Sequence, residues 1–77
     1  MKKIVIATQN EGKLSMIKEV FPDYRILSLK DLEYFVEPEE NGETFEENAI
    51  LKAKFYHNNL NEIVIADEPR RRKWIWF

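Results

Sequence analysis

Three stretches of the chain are apolar without alternation: Ile4-Val5-Ile6-Ala7 after Lys3, Ile26-Leu27 within Arg25 to Leu29, and Ile63-Val64-Ile65-Ala66 after Glu62. Short, β-branched runs of this kind suit strands buried on both faces of an α/β sheet. Between them the spacing changes to three and four. Leu14, Ile17 and Phe21, with Val20 beside them, predict a helix that Asn10 starts and Pro22-Asp23 ends. Phe45, Ala49, Ala53, Tyr56 and Leu60 predict the buried face of a second helix, and Asn58-Asn59-Leu60-Asn61 marks its end. Lys30-Asp31-Leu32 reads as a short helical turn. The order is β-α-β-α-β, and the first crossover is right-handed if its strands are parallel.

The second helix has its start written out. Thr44 is an N-cap, and Glu47 three residues on completes a capping box by reaching back to the Thr44 amide. Gly42 lets the chain turn sharply just before it. Glu43, Glu46 and Glu47 crowd the positive end of the helix dipole. Asn48 and Lys52 lie one turn apart, off the apolar face, so both can point at one target. The plain alternative is an amphipathic helix with a solvated Asn and Lys.

Composition narrows the classes. At 77 residues the chain is one domain. A domain of this size buries only about 60% of its unfolded surface. With no Cys, neither a disulfide nor a thiolate metal site reinforces it. No run reaches the roughly 18 apolar residues of a membrane span, and the apolar run after Met1-Lys2-Lys3 is too short for a signal peptide. A soluble, cytoplasmic protein is expected, with no membrane or nucleic-acid partner. All 14 acids fall before Pro69, whereas residues 70–77 hold four of the 12 bases and no acid. That switch divides residues 1–67 from a basic-aromatic tail at 68–77.

Three polar stretches carry candidate chemistry. Thr8-Gln9-Asn10-Glu11-Gly12-Lys13 leads from a buried strand into a helix N-terminus, where backbone amides and the dipole favour an anion. Lys13 adds a mobile positive charge. The loop lacks the GxxxxGK[ST] spacing of a P-loop, and an ordinary strand-to-helix turn is its plain reading. Glu37, Glu39 and Glu40 flank Pro38 ahead of the second helix; such acids are usually just solvated, but clustered carboxylates also suit Mg²⁺, a hard ion that takes oxygen ligands. Asp67-Glu68 ends the third strand, where open α/β sheets place their chemistry. His57 has no obvious partner and reads as surface. Basic groups on one side and carboxylates on the other suggest a site that handles nucleotide phosphates.

These residues resemble a family. Ala7-Thr8-Gln9-Asn10-Glu11-Gly12-Lys13, Gly42-Glu43-Thr44-Phe45-Glu46-Glu47-Asn48-Ala49-Ile50-Leu51-Lys52-Ala53 and Val64-Ile65-Ala66-Asp67 are similar, in order and spacing, to the amino-terminal part of the inosine/xanthosine triphosphate pyrophosphatases, the Ham1-like enzymes. The resemblance implies an elongated α/β fold with a long mixed sheet, usually a homodimer. It implies Mg²⁺-dependent hydrolysis of ITP, dITP and XTP to monophosphate and pyrophosphate. It maps a phosphate-binding loop onto Thr8 to Lys13, a metal-binding glutamate onto Glu39, and phosphate-facing positions onto Asn48 and Lys52. A strand-end carboxylate, Asp67 or Glu68, would take the proton of the attacking water.

The tail departs from the family. Where such enzymes continue A-D-D-S-G-L, this chain has Ala66-Asp67-Glu68-Pro69-Arg70-Arg71. The second Asp, proton acceptor and metal ligand in the family, is here Glu68. The tail has three readings: a basic-aromatic anchor for a membrane surface or nucleic acid, a solvated end, or the product of a shifted reading frame. The third is preferred, because Arg72 to Phe77, back-translated and read two bases into each codon, permits the family's continuation; the Arg70 position does not. The expectation is a truncated pyrophosphatase with little or no turnover. The alternative is a non-enzymatic fragment with weak phosphate binding, or a tail-mediated binder.

Overall fold

The computed structural model describes residues 2–8, 10–68 and 73–77. Its elements are β1 (Lys3–Ile6), α1 (Glu11–Val20), β2 (Arg25–Ser28), α2 (Phe45–Leu60), β3 (Ile63–Glu68) and β4 (Lys73–Trp76). The sheet order is β2-β1-β3-β4, with β1 parallel to both β2 and β3. This is the expected β-α-β-α-β series with one strand more. β4 pairs antiparallel with β3, Trp74 opposite Asp67 and Lys73 opposite Glu68, which makes the sheet mixed. The tail alternates as a strand does: Trp74 packs on one face of the sheet and Ile75 on the other.

Two cores lie on opposite faces of the sheet. Ile4, Ile6, Ile26 and Ile65 pack with Leu14 and Ile17 of α1. Val5, Ala7, Val64 and Ala66 pack with Ala53 and Tyr56 of α2. The unalternating runs of β1 and β3 follow from this, since both strands have a helix over each face. Ile4, Val5 and Ile6 are at most 1% exposed, and burial of each contributes about 1.5–3 kcal/mol.

Both helices start where the sequence places them. Asn10 accepts the Lys13 N–H at 3.1 Å, and Thr44 accepts the Glu47 N–H at 3.0 Å. Glu47 returns to the Glu43 N–H at 2.7 Å rather than to that of Thr44, one residue further back than a capping box requires. Phe45 is 53% exposed and stands off the buried face: it is the first residue of α2, ahead of the turn at which Ala49 meets the sheet. Val20, at the other end of α1, is likewise exposed. The helix α2 runs through the expected break and ends on Asn61, whose φ of 55° is left-handed, a conformation Asn tolerates. His57 does have a partner, the Glu62 carbonyl 2.8 Å from Nδ1. Residues 29–33 form turns, not a helix, because Ser28 and Asp31 bond reciprocally: Ser28 N–H to Asp31 at 2.9 Å and Asp31 N–H to Ser28 Oγ at 3.0 Å.

Candidate active-site cleft

The carboxyl ends of parallel β1 and β3 open at the same edge of the sheet. There the loop after β1, the loop of residues 29–41 and the side of α2 enclose a cleft with two chambers. The first, of about 290 Å³, is lined by Thr8, Glu37, Glu40, Lys52, Tyr56 and Asp67, over a floor that includes Ala7. The second, of about 420 Å³, is more apolar and is lined by Glu11, Leu14, Ser28, Tyr34 and Phe35 among others. Thr8, Leu29, Glu37 and Tyr56 belong to both chambers and form the wall between them.

Two cations pair with acids that line the charged chamber. Lys13 Nζ, on the first turn of α1, donates to Asp67 Oδ2 at the end of β3. Lys52 Nζ lies 3.6 Å from Glu40 Oε1. Alternation along β3 sends the two strand-end acids to opposite faces of the sheet. Asp67 follows Ile65 toward α1, while Glu68 follows Ala66 toward α2 and is 1% exposed. Asp67, bonded to Lys13, lines the chamber, whereas Glu68 is buried and pairs across the sheet with Lys73, which itself bonds Glu46 of α2 at 3.0 Å.

The other expected site residues divide. Thr8 and Glu11 line the cleft. Asn10 spends its side-chain oxygen on the α1 cap, and Gly12 lies exposed within α1's first turn. Gln9 lies outside the described residues. Asn48 Oδ1 accepts the Gly42 N–H at 2.8 Å and so ties the preceding loop to α2. Glu39 lines a different hollow, with Leu51, Lys54 and Asn58 on the outer side of α2, whereas Glu40 lines the charged chamber and Glu37 borders both.

Tyr56 went unremarked as a site residue because its helical spacing places it in the core. It is 3% exposed and edge-to-face with Tyr34 at 5.9 Å. Burial, reinforced by Glu37, Tyr34 and Glu40, raises its phenol above its ordinary 10.0, so it stays protonated.

As for a metal, the described residues contain no cluster of three His, Cys, Asp or Glu side chains. The donors facing the charged chamber are carboxylate oxygens, those of Glu37, Glu40 and Asp67. Mg²⁺ is held by one or two carboxylates together with substrate phosphates, so this donor set fits an ion that arrives with a polyphosphate.

An open α/β edge with a lysine-bearing helix start and strand-end acids is where α/β proteins of this kind place their sites. The chain belongs to the Ham1 family, whose model matches residues 4–69. Among characterised relatives, a dITP/XTP pyrophosphatase of Staphylococcus aureus (strain MRSA252) is 48% identical over 68 residues, covering 88% of this chain and 35% of that protein. One from Bacillus anthracis is 51% identical over 70 residues, with 88% and 35% covered. The solved Ham1 protein of Staphylococcus aureus superposes with a TM-score of 0.80 at 48% identity, over 86% of this chain and 34% of that one. A HAM1 protein from Coxiella burnetii gives 0.74 at 33% identity, over 87% and 34%. The chain therefore spans about a third of the length of the relatives it matches.

Proposed function

We propose that the cleft is the phosphate-binding part of a nucleoside triphosphate pyrophosphatase acting on ITP, dITP and XTP in the cytoplasm. The observation that carries this reading is the meeting of Thr8, Lys52 and Asp67, with Lys13 bonded to Asp67, in one chamber at the strand ends. Lys13 and Lys52 offset triphosphate charge. Thr8 and the amides opening α1, those of Glu11 and Gly12, receive phosphate oxygens. Asn48 supports this wall from α2.

Mg²⁺, when bound, would lower the pKa of a coordinated water and offset charge on the phosphates. Asp67 holds the strand-end position facing the chamber. The family position assigns a metal-binding acid to Glu39, but Glu37 and Glu40 have the nearer placement. Glu68 stands where the family has its proton acceptor. Its extra methylene moves the carboxylate by roughly an ångström, a misplacement that costs about a hundredfold in rate. Little turnover is therefore expected from these 77 residues. Residues 1–67 form the family unit, and the tail from Glu68 on reflects a shifted reading frame, which sequencing the locus downstream would test.

The experiment is a titration of the chain with dITP and Mg²⁺, followed by amide shifts and by pyrophosphate release. Shifts centred on Thr8, Lys13 and Lys52, with slow release or none, are expected. Their absence would sink the reading, and robust release would refute the slow-turnover prediction. A purely structural fragment would show neither.

A further inference from the structure

Tyr56 is buried to all but 3%, yet among the described residues its hydroxyl has no hydrogen-bond partner. Among the described residues no buried side-chain nitrogen or oxygen lacks a partner. The phenol oxygen is therefore not sealed in the core but reaches open space. The space that Tyr56 borders is the cleft, where it lines both chambers. A buried tyrosine hydroxyl normally has a hydrogen-bond partner, protein or water, so one that opens on a cavity has a donor to offer whatever occupies it.

Its position specifies the ligand. Tyr56 follows Lys52 by four residues, so the two stack on one face of α2 and line the same chamber as Thr8. The edge-to-face contact with Tyr34 at 5.9 Å fixes the ring and anchors the acidic loop beside it. Burial, more than the neighbouring Glu37, disfavours a phenolate. The group is thus a neutral donor, held rigidly where Lys52 supplies charge.

We propose that Tyr56 is a further substrate-binding residue, donating its phenol proton to a phosphate oxygen of the nucleoside triphosphate beside Lys52. This rests on the function proposed above. It adds a contact from the fourth turn of α2, one turn beyond Lys52. A neutral donor there orients the phosphate chain without adding positive charge beside the acids that face a divalent cation.

The test is calorimetric titration of the full chain and its Tyr56→Phe and Lys52→Gln variants with inorganic triphosphate and, separately, dITP, both with Mg²⁺. Tyr56→Phe keeps the ring and its packing, and circular dichroism confirms the fold. Loss of one hydrogen bond to a charged group weakens binding about ten- to a hundredfold. The expected result is that Tyr56→Phe weakens both ligands by the same factor and leaves the salt dependence unchanged, while Lys52→Gln weakens both and flattens it. Unchanged affinity in Tyr56→Phe with a clear Lys52→Gln effect would overturn the inference alone. Weakening of dITP only would overturn it by placing the contact on the nucleoside. Failure of the unaltered chain to bind either ligand would remove the function and the inference together.

Discussion

Lys13 and Asp67, 54 residues apart in sequence, form an ion pair that joins the first turn of α1 to the end of β3 at the charged chamber. Their side chains are 36% and 17% exposed, so the pair contributes less than about 1 kcal/mol to stability. Its larger consequence is for binding: without a nucleotide, Asp67 occupies the cation that a phosphate would use. Asp67→Asn should therefore tighten binding of inorganic triphosphate in the presence of a chelator, because Lys13 is released. With Mg²⁺ the same change should weaken binding, because a carboxylate facing the metal is lost. Calorimetry under the two conditions gives opposite signs if Asp67 plays both parts.

The loop of residues 37–40 presents its acids in two directions, which makes a prediction about metal dependence. Glu40→Gln should remove more of the Mg²⁺-dependent gain in triphosphate affinity than Glu39→Gln, since Glu40 lines the charged chamber and Glu39 the outer side of α2. Without metal, Glu40→Gln should tighten binding by freeing Lys52, its partner at 3.6 Å. A larger effect of Glu39→Gln in Mg²⁺ would mean that the loop turns over when nucleotide binds.

Gly42 is required by a close approach. A Cβ there would lie 2.7 Å from Glu47 Cβ and 2.8 Å from Asn48 Oδ1. Because Asn48 is itself held by the Gly42 N–H, neither neighbour withdraws cheaply. Gly42→Ala should destabilise the chain by about 1–3 kcal/mol, and Asn48→Ala by about 1 kcal/mol through the lost tether. The two should not add, because they break the same contact. Urea denaturation of the single and double variants measures this. If Asn48→Ala leaves triphosphate affinity unchanged, Asn48 holds the loop rather than the phosphates.

The central strands and both helix starts were legible because burial on two faces and N-capping leave local marks. β1 and β3 announce themselves by runs without polar alternation, and Asn10 and Thr44 cap as their side chains dictate. Lys13 and Asp67 were legible as site residues, but not as partners, because pairing across 54 residues is a property of the sheet order. β4 was hidden by its composition: a basic-aromatic stretch read as a divergent tail, with a shifted reading frame preferred, and only pairing with β3 shows Trp74 and Ile75 packing, partly buried, against the two cores. Tyr56 was hidden for the opposite reason. Its spacing fits the buried face so well that nothing local distinguishes a sealed phenol from one open to a cleft.

The turn after β2 supplies a test by pH. Asp31 accepts the Ser28 N–H, its largest influence, and the Ser28 hydroxyl accepts in return from the Asp31 N–H. The backbone bond, then the Ser28 side chain, and more weakly Lys18 and Lys30, hold the carboxyl below its ordinary 3.8 against a smaller opposing effect of burial. A folded-state pKa lower than the unfolded one stabilises the fold wherever the acid is ionised in both states. That contribution is full above 3.8 and is lost as pH falls through the lower folded value. Asp31→Asn keeps a side-chain acceptor but cannot ionise. The stability gap between the original chain and Asp31→Asn, read from urea midpoints, should therefore stay constant at neutral and mildly acid pH. It should close as pH drops below 3.8. A gap that widened on acidification would show that ionised Asp31 strains the turn between β2 and the acidic loop instead of fastening it.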